Sequence, residues 1–277
     1  MKVTKEKDCI IIEGKDFNIA DTLECGQVFS FIKLNDAKYI VTSQDKLAKI
    51  KIVDDKTIIE TADVDYFYNY FDLTTDYDAI KFKLCQIYPD FTNFLNSGSS
   101  IRILKQDKIQ TIISFIVSAN NNIKRIKKIL FALSQKYGRE IDNGIYSFPT
   151  LAQLSSVTCQ DFEKIGMGYR APYIVDTVKQ LLTDEYSVDF LSTLDTTHLK
   201  QKLLALKGVG PKVADCILFF GFSRSDVFPV DTWIRKSYNL FCEVSRSDKE
   251  IAHYFVSLFG EYSGYAQQYI FNFMINS

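Results

Sequence analysis

The chain has 277 residues, of which 47% are hydrophobic and 24% are charged, and its net charge is −1. This size and balance suit one large globular domain or two moderate ones with a sizeable core. The six cysteines form no CxxC pair and the two histidines show no HExxH or HxE spacing, so the sequence predicts reduced thiols and neither a zinc nor an iron–sulfur site. The absence of GxxxxGKS/T and GxGxxG motifs argues against a nucleotide cofactor.

The sequence also lacks signs of membrane targeting. No apolar signal region opens it, and its longest apolar runs, such as 217–220, are too short to cross a bilayer. We therefore expect a soluble, intracellular monomer without membrane contact, which in a bacterium would occupy the cytoplasm or nucleoid.

Charge is distributed unevenly along the chain. Between Arg102 and Arg139, nine basic residues are opposed only by Asp107, whereas between 54 and 78 eight acidic residues are opposed only by Lys56. A basic face and an acidic face would follow, and a basic face suits a nucleic acid. Such runs are also common on solvated helix faces, so charge alone leaves DNA binding open.

The hydrophobic pattern changes its period along the chain. Apolar residues alternate in the first part, with turn-forming residues between runs, and from about Tyr66 they recur with helical spacing only. The sequence therefore predicts an α+β fold, with an antiparallel sheet domain at 1–90 and an all-helical region at 91–277. The predicted strands are 9–13, 28–33, 38–41, 48–53 and 57–60. The clearest predicted helices are 101–117, 122–137, 171–182, 197–206, 211–220, 231–241, 248–259 and 264–275.

The stretch LLALKGVGPKVADC at 203–216 is the most informative motif. It predicts a helix, a tight GxG hairpin and a second helix, together spanning about 197–220. Gly208 and Gly210 permit positive φ and close backbone approach, and Pro211 suits the first turn of a helix. Free amides at such a turn bind a phosphate oxygen whatever the base sequence, so both glycines are candidate DNA-binding residues.

Lys212 lies in the first turn of that second helix, where the positive end of the helix dipole disfavours a cation. We therefore expect its ammonium pKa to fall, which would enlarge the neutral fraction that a Schiff-base lysine needs. A lysine at this position could equally be another phosphate contact. The residue by itself leaves both interpretations open.

Asp231 ends the stretch FPVD at 228–231 and directly precedes an apolar-periodic helix, so it is a good N-cap. A carboxylate delivered after the Lys212 helix has returned would also stabilise an oxocarbenium-like sugar while a base departs. The two roles are compatible.

Together, the hairpin with Lys212 and the element that ends at Asp231 resemble the helix-hairpin-helix GPD superfamily of base-excision glycosylases. GVGPKVADC at 208–216 is close to the version found in the 8-oxoguanine DNA glycosylase family. Further stretches resemble motifs of that family in the same order, so the resemblance covers nearly the whole chain. They are GQVF at 26–29, SANNNIKR at 118–125, GMGYRA at 166–171 and GYAQQYIF at 264–271.

The resemblance implies a DNA glycosylase with abasic-site lyase activity that excises 8-oxoguanine, preferentially opposite cytosine, from double-stranded DNA. Lys212 would attack the sugar C1′, displace the base, form a Schiff base and permit β-elimination of the 3′ phosphate. Asp231 would assist electrostatically. No metal or cofactor is implied.

The resemblance also places the flipped base between Cys216 and Phe271, with Gln267 on its Watson–Crick edge and the Gly26 carbonyl accepting the N7 hydrogen of 8-oxoguanine. Independently, four-residue spacing puts Lys212 and Cys216 on one helix face. Without the resemblance, Cys216 would be a core thiol, and Gln267 and Phe271 would form an ordinary buried helix face.

Four further residues correspond to those that fill the gap left by the flipped nucleotide and contact the estranged cytosine: Asn120, Arg125, Tyr169 and Arg170. Without the resemblance, Asn120 would be a helix cap and Tyr169 a core aromatic residue. The two arginines would be surface charges. Trp233 departs from the pattern, because the family often has a phosphate-contacting histidine there, and this puts one backbone contact in doubt.

Two alternatives stay open. One is a glycosylase for another damaged base, although the endonuclease III and adenine glycosylase branches usually carry a four-cysteine cluster that these spacings do not provide. An alkylbase glycosylase would normally lack Lys212. The other alternative is a noncatalytic DNA-binding module that uses the hairpin as a phosphate clamp, which the combination of Lys212 and Asp231 opposes.

Overall fold

The computed structural model describes residues 1–96, 98–242 and 244–276. Its amino-terminal part is a six-stranded antiparallel sheet in the order β1-β2-β6-β5-β4-β3. The strands are β1 (Lys2–Lys5), β2 (Cys9–Glu13), β3 (Phe31–Asn35), β4 (Lys38–Ser43), β5 (Lys46–Val53) and β6 (Lys56–Glu60). A small hairpin later in the chain pairs β7 (Glu140–Asp142) with β8 (Ile145–Tyr146).

Helices make up most of the rest. The first, α1 (Ile19–Glu24), interrupts the sheet between β2 and β3. After the sheet come α2 (Val64–Tyr70), α3 (Tyr77–Ile87), α4 (Thr92–Leu95), α5 (Lys108–Ser118), α6 (Ile123–Tyr137), α7 (Leu151–Leu154) and α8 (Cys159–Lys164). The carboxyl-terminal part contains α9 (Ala171–Leu181), α10 (Val188–Thr193), α11 (Thr196–Leu204), α12 (Pro211–Phe222), α13 (Thr232–Tyr238), α14 (Asp248–Phe259) and α15 (Ser263–Asn276).

The predicted α+β fold is confirmed, with local differences. The helix predicted at 101–117 begins only at Lys108, where the Asp107 side chain caps it, and 101–107 are not helical. The β7–β8 hairpin corrects the expectation of an all-helical second part, because strands this short leave no periodic signal. Strand β1 was not predicted, since none of its four residues is buried and it is held by backbone pairing with β2. The strand predicted at 28–33 begins instead at Phe31, because Val28 and Phe29 pack into the core from the preceding loop.

Buried side chains form two hydrophobic clusters. One lies against the sheet and uses residues from Ile10 to Leu73 together with Leu104. The other uses Cys25, Phe29 and the helical residues from Tyr77 onward. The packing therefore changes between Leu73 and Tyr77, while the division into domains at 1–90 and 91–277 remains a proposal.

Gln27 joins the two clusters and is fully buried. Its Nε2 donates to the Thr22 and Arg102 carbonyls at 2.7 and 2.8 Å, and its Oε1 accepts from the Leu104 backbone N–H at 2.9 Å. Each of these groups would otherwise be a buried polar atom without a partner, which is costly. The loop that carries Gly26 is thereby fixed to the chain that leads into α5.

We predict that Gln27→Leu lowers the free energy of unfolding by about 3 kcal/mol, because it leaves buried backbone groups without hydrogen bonds. Urea denaturation measures the change. The matched control is Gln86→Leu, where the side chain is exposed on α3, and it should change the free energy by less than about 0.5 kcal/mol. Equal effects of the two substitutions would contradict this view of Gln27.

Candidate active site

The hairpin between α11 and α12 is built around one left-handed glycine. Gly208 has φ of +81°, and a Cβ placed on it would lie 2.5 Å from Cδ2 of Tyr173, so no side chain fits there. The expectation of positive φ at Gly210 is wrong: Gly210 has φ of −90° and is the extended N-cap of α12. Its role is to let Pro211 begin the helix, and its carbonyl accepts from the Ala214 N–H at 2.9 Å.

An ion pair with a buried carboxylate joins the two helices of the hairpin. Lys200 of α11 lies 2.5 Å from Oδ1 of Asp215 in α12, and the Asp215 side chain is only 4% exposed. Burial raises the pKa of Asp215, and Lys200 opposes that rise. Asp215 is not among the residues that the sequence motifs mark as functional, although a carboxylate among the apolar residues of one helix is itself a signal for a buried partner.

Lys212 is partly buried on the first turn of α12 and hydrogen-bonds Cys216 one turn later. Its pKa is raised by Cys216 and by Asp231, while burial acts in the opposite direction. Burial in turn raises the pKa of Cys216 to about 11, so at neutral pH its sulfur acts on Lys212 as a hydrogen-bonding thiol. The expected fall in the pKa of Lys212 is therefore wrong, because the helix-dipole argument ignored the groups that face the ammonium.

Asp231 is held rigidly at the start of α13. Its Oδ1 accepts from the Trp233 and Ile234 backbone N–H groups at 3.0 and 2.9 Å, which confirms the N-cap interpretation. Two bonds to one oxygen fix the carboxylate, and the Asp231 charge acts on Lys212 across the site. The geometry is compatible with the second predicted role beside a developing positive charge.

Aromatic side chains close one side of the site. The Lys212 Nζ lies 5.7 Å from the centroid of the Phe115 ring, which in turn stacks on Phe220 at 5.6 Å. Phe115 on α5 was not predicted as a site residue, because its position in an apolar run is that of an ordinary core residue. Both rings are buried, so this side of the site is apolar.

The two ends of the chain meet beside Gly26. Gly26 has φ of +82°, and a Cβ placed on it would lie 3.6 Å from Cε1 of Phe271. Gln268 on α15 donates to the Cys25 carbonyl at 3.2 Å, which ties that helix to the same loop. A residue larger than glycine would both strain the backbone and fill the space against Phe271.

Gln267 and Cys216 have the burial that a base pocket requires. Gln267 is 6% exposed, and its Oε1 is buried without a hydrogen-bond partner among the described residues. Cys216 is 4% exposed. The contacts of the structure join Gly26 to Phe271 and Cys216 to Lys212, and the assignment of all of them to one base pocket remains a prediction.

Arg170 organises the loop that carries Asn120. It is 2% exposed, and its guanidinium donates to the Ala119 carbonyl from Nε at 3.0 Å and to the Asn120 carbonyl from Nη2 at 2.8 Å. Asn120 is exposed with φ of +48°, and the half-exposed Tyr169 also donates to the Ala119 carbonyl, at 3.3 Å. In this state Arg170 therefore positions Asn120, and its own contact with DNA remains a prediction.

Arg125 lies in the same region on the first turn of α6. Its backbone N–H is capped by Asn122, while its exposed side chain reaches the Gly166 carbonyl at 3.4 Å. A single long hydrogen bond leaves most of its guanidinium donors available.

Within residues 1–96, 98–242 and 244–276 no group of three or more potential ligands is placed to hold a metal ion. Nor is any described helix long and apolar enough to cross a membrane.

Two family models together match residues 9–260. Residues 9–112 match the amino-terminal domain of 8-oxoguanine DNA glycosylase, and residues 113–260 match the HhH-GPD superfamily of base excision DNA repair proteins. A solved structure of Clostridium acetobutylicum 8-oxoguanine glycosylase/lyase, in complex with double-stranded DNA containing cytosine opposite 8-oxoguanine, is 33% identical. It covers 100% of this chain and 98% of its own, with a TM-score of 0.92.

The chain belongs to the 8-oxoguanine DNA glycosylase family of the HhH-GPD superfamily. Among curated relatives, the N-glycosylase/DNA lyase of Saccharomyces cerevisiae is 34% identical over 64% of this chain, and the chain spans 57% of that protein. The probable N-glycosylase/DNA lyase of Methanothermobacter thermautotrophicus is 32% identical over 64% of this chain, which spans 64% of it. The suspected family is thus confirmed.

For the Asn120 loop, we predict that Arg170→Leu lowers the free energy of unfolding by about 2 kcal/mol, because the Ala119 and Asn120 carbonyls lose their charged donor. Arg125→Leu removes an exposed arginine from the first turn of α6. It should change the free energy of unfolding by less than about 0.5 kcal/mol. Urea denaturation distinguishes the two. If Arg170→Leu were as stable as Arg125→Leu, the positioning role would be contradicted.

Proposed function

We propose that the protein is a bifunctional DNA glycosylase and abasic-site lyase that excises 8-oxoguanine, preferentially opposite cytosine, from double-stranded DNA. The observation that carries the proposal is the position of Lys212: a partly buried amine that contacts Cys216 and is acted on by the capped carboxylate of Asp231. A lysine used only as a phosphate clamp needs neither burial nor an adjacent carboxylate. Family membership supports the same activity.

DNA binding would use the hairpin and the Asn120 loop. The backbone amides at the hairpin after Gly208 would hold a phosphate, and Asn120 with Tyr169 would occupy the gap in the duplex. Arg125 would donate to the estranged cytosine, with Arg170 holding the loop in place. The extruded base would enter beside Gly26, whose carbonyl accepts the N7 hydrogen that guanine lacks. The unpartnered Oε1 of Gln267 supports this proposal, because a base edge would supply the missing donor.

The chemistry requires Lys212 to lose its proton. The neutral amine would attack C1′ as the bond to the base breaks, and the departing base would take the bonding electrons and a proton. Asp231 would stabilise the positive charge that develops on the sugar. Ring opening would then give a Schiff base, and loss of a C2′ proton would expel the 3′ phosphate by β-elimination.

Borohydride trapping tests the proposal. With duplex DNA that carries one 8-oxoguanine opposite cytosine, the wild-type protein should give a covalent adduct, and Lys212→Gln should give none. Lys207→Gln is the matched control, because Lys207 lies on the same hairpin but is exposed and paired with Asp176. It should trap as the wild type does.

Other results would favour the alternatives. Binding to DNA without trapping would indicate a noncatalytic module. Trapping with a different damaged base but not with 8-oxoguanine would change the substrate. Equal excision opposite all four bases would remove the proposed role of Arg125 in contacting the estranged cytosine.

The pH dependence gives a second prediction. The neutral fraction of Lys212 grows as pH increases, and the raised pKa moves this growth to higher pH. Trapping on a preformed abasic site should therefore accelerate into the alkaline range. Asp231→Asn removes one of the groups that raise this pKa, so the trapping profile should shift to lower pH. Base removal should nevertheless slow by roughly a hundredfold, because the sugar cation loses its carboxylate.

Asparagine is also a good N-cap, so α13 should persist in this variant, and circular dichroism checks that it does. A profile that moved to higher pH, or did not move, would contradict the placement of Asp231 beside Lys212.

We further propose that the protein acts as a monomer without cofactor, in the compartment that holds its DNA substrate.

A further inference from the structure

A cavity that Lys212 does not line lies between the sheet and α6. Its volume is about 570 Å³, which falls in the range of small-molecule pockets. Strands β3, β4 and β8 form its walls together with α6. Four of its lining side chains are aromatic: Phe29, Phe31, Phe131 and Tyr146. Three are lysines: Lys33, Lys127 and Lys128.

Among the described residues, no anion is bound directly to Lys127 in this cavity. Its Nζ lies 3.4 Å from the centroid of the Phe31 ring, and burial lowers its pKa. The charge of the nearby Glu24 opposes this lowering, but the Glu24 oxygens are bound by the Tyr39 hydroxyl at 2.7 Å and by Lys33 at 3.0 Å. Within the described ranges Lys127 makes neither a salt bridge nor a hydrogen bond. A half-buried ammonium in this situation is costly unless an anion joins it.

Charge around the cavity favours such an anion. Helix α6 carries four lysines and one arginine in the sequence IKRIKKILFALSQKY and not one acidic residue. Lys128 is exposed at the cavity, and Phe131, at 49% exposure, offers an uncovered ring beside it. A purely apolar ligand would leave Lys127 unpaired, and a bare anion would leave the aromatic walls uncovered.

Another recess adjoins the cavity on the side of the loop that carries Gly26. This smaller recess, of about 170 Å³, shares Phe31, Lys33 and Lys127 with the cavity and has Gly26 in its wall. An occupant of the larger cavity would therefore lie near the loop of Gly26, but on residues to which the proposed reaction assigns no role.

We propose that this cavity binds a free mononucleotide, with the base against the aromatic walls and the phosphate at Lys127 and Lys128. Aromatic rings stack on any nucleobase, and lysine binds phosphate as a point charge. Recognition by side chains on a helix and a strand explains why no glycine-rich phosphate loop is needed. The inference does not depend on the proposed glycosylase activity.

Isothermal titration with guanosine monophosphate tests the proposal. The wild-type protein should bind the nucleotide, and guanosine and inorganic phosphate should each bind at least about tenfold more weakly, because each satisfies only half of the site. Lys127→Met should weaken nucleotide binding by roughly tenfold or more. Phe131→Ala removes an exposed ring and should weaken it as well, without a large cost in stability.

Two controls separate this cavity from the rest of the protein. Lys124→Met removes an exposed lysine of α6 that does not line the cavity, and it should leave binding unchanged. Gln267→Ala alters the predicted base pocket and should also leave it unchanged. Thermal unfolding confirms that each variant is folded.

Four outcomes would overturn the proposal. They are absence of nucleotide binding, equal binding of inorganic phosphate, equal binding by Lys127→Met, and loss of binding in Gln267→Ala. The last would place the nucleotide in the base pocket. Trapping of 8-oxoguanine DNA is measured separately, so failure here leaves the proposed glycosylase activity intact.

Discussion

The contact of the partly buried Lys212 amine with Cys216, under the charge of Asp231, is the interaction on which the rest of the site depends. Lys212 must be shielded enough to react with a sugar carbon, yet Cys216 and Asp231 raise its pKa and keep it an ammonium in the unbound protein. Attack therefore requires a proton to leave after DNA arrives. Phosphates of the DNA add negative charge, so deprotonation has to come from the exclusion of water and the geometry of the bound sugar.

The architecture around this contact fixes elements that are distant in sequence. The Lys200–Asp215 pair sets α12 against α11, and Gln27 fixes the loop of Gly26 to the chain before α5. Phe271 arrives from the last helix to face Gly26. Most of these links are buried polar bonds, whose value lies in defining one arrangement more than in net stability.

Local sequence patterns predict those parts of the fold and of the site that depend on neighbouring residues. The sheet-then-helix order, the hairpin before Lys212 and the cap at Asp231 all follow from periodicity, glycine and proline chemistry, and capping rules. Prediction from the sequence fails where the outcome depends on groups brought together by folding: Cys216 and, across the site, Asp231 raise the pKa of Lys212, and Arg170 is buried against a loop about 50 residues away. Gly210 was misjudged because an N-cap and a left-handed turn both favour glycine.

The most direct test of the account is to identify the residue that joins the DNA. Borohydride-trapped complex, digested with protease and nuclease, can be sequenced by mass spectrometry to locate the sugar adduct. We predict that the adduct lies on Lys212 within the peptide that also contains Cys216. An adduct on another lysine or on the amino terminus would contradict the central claim that Lys212 is the nucleophile.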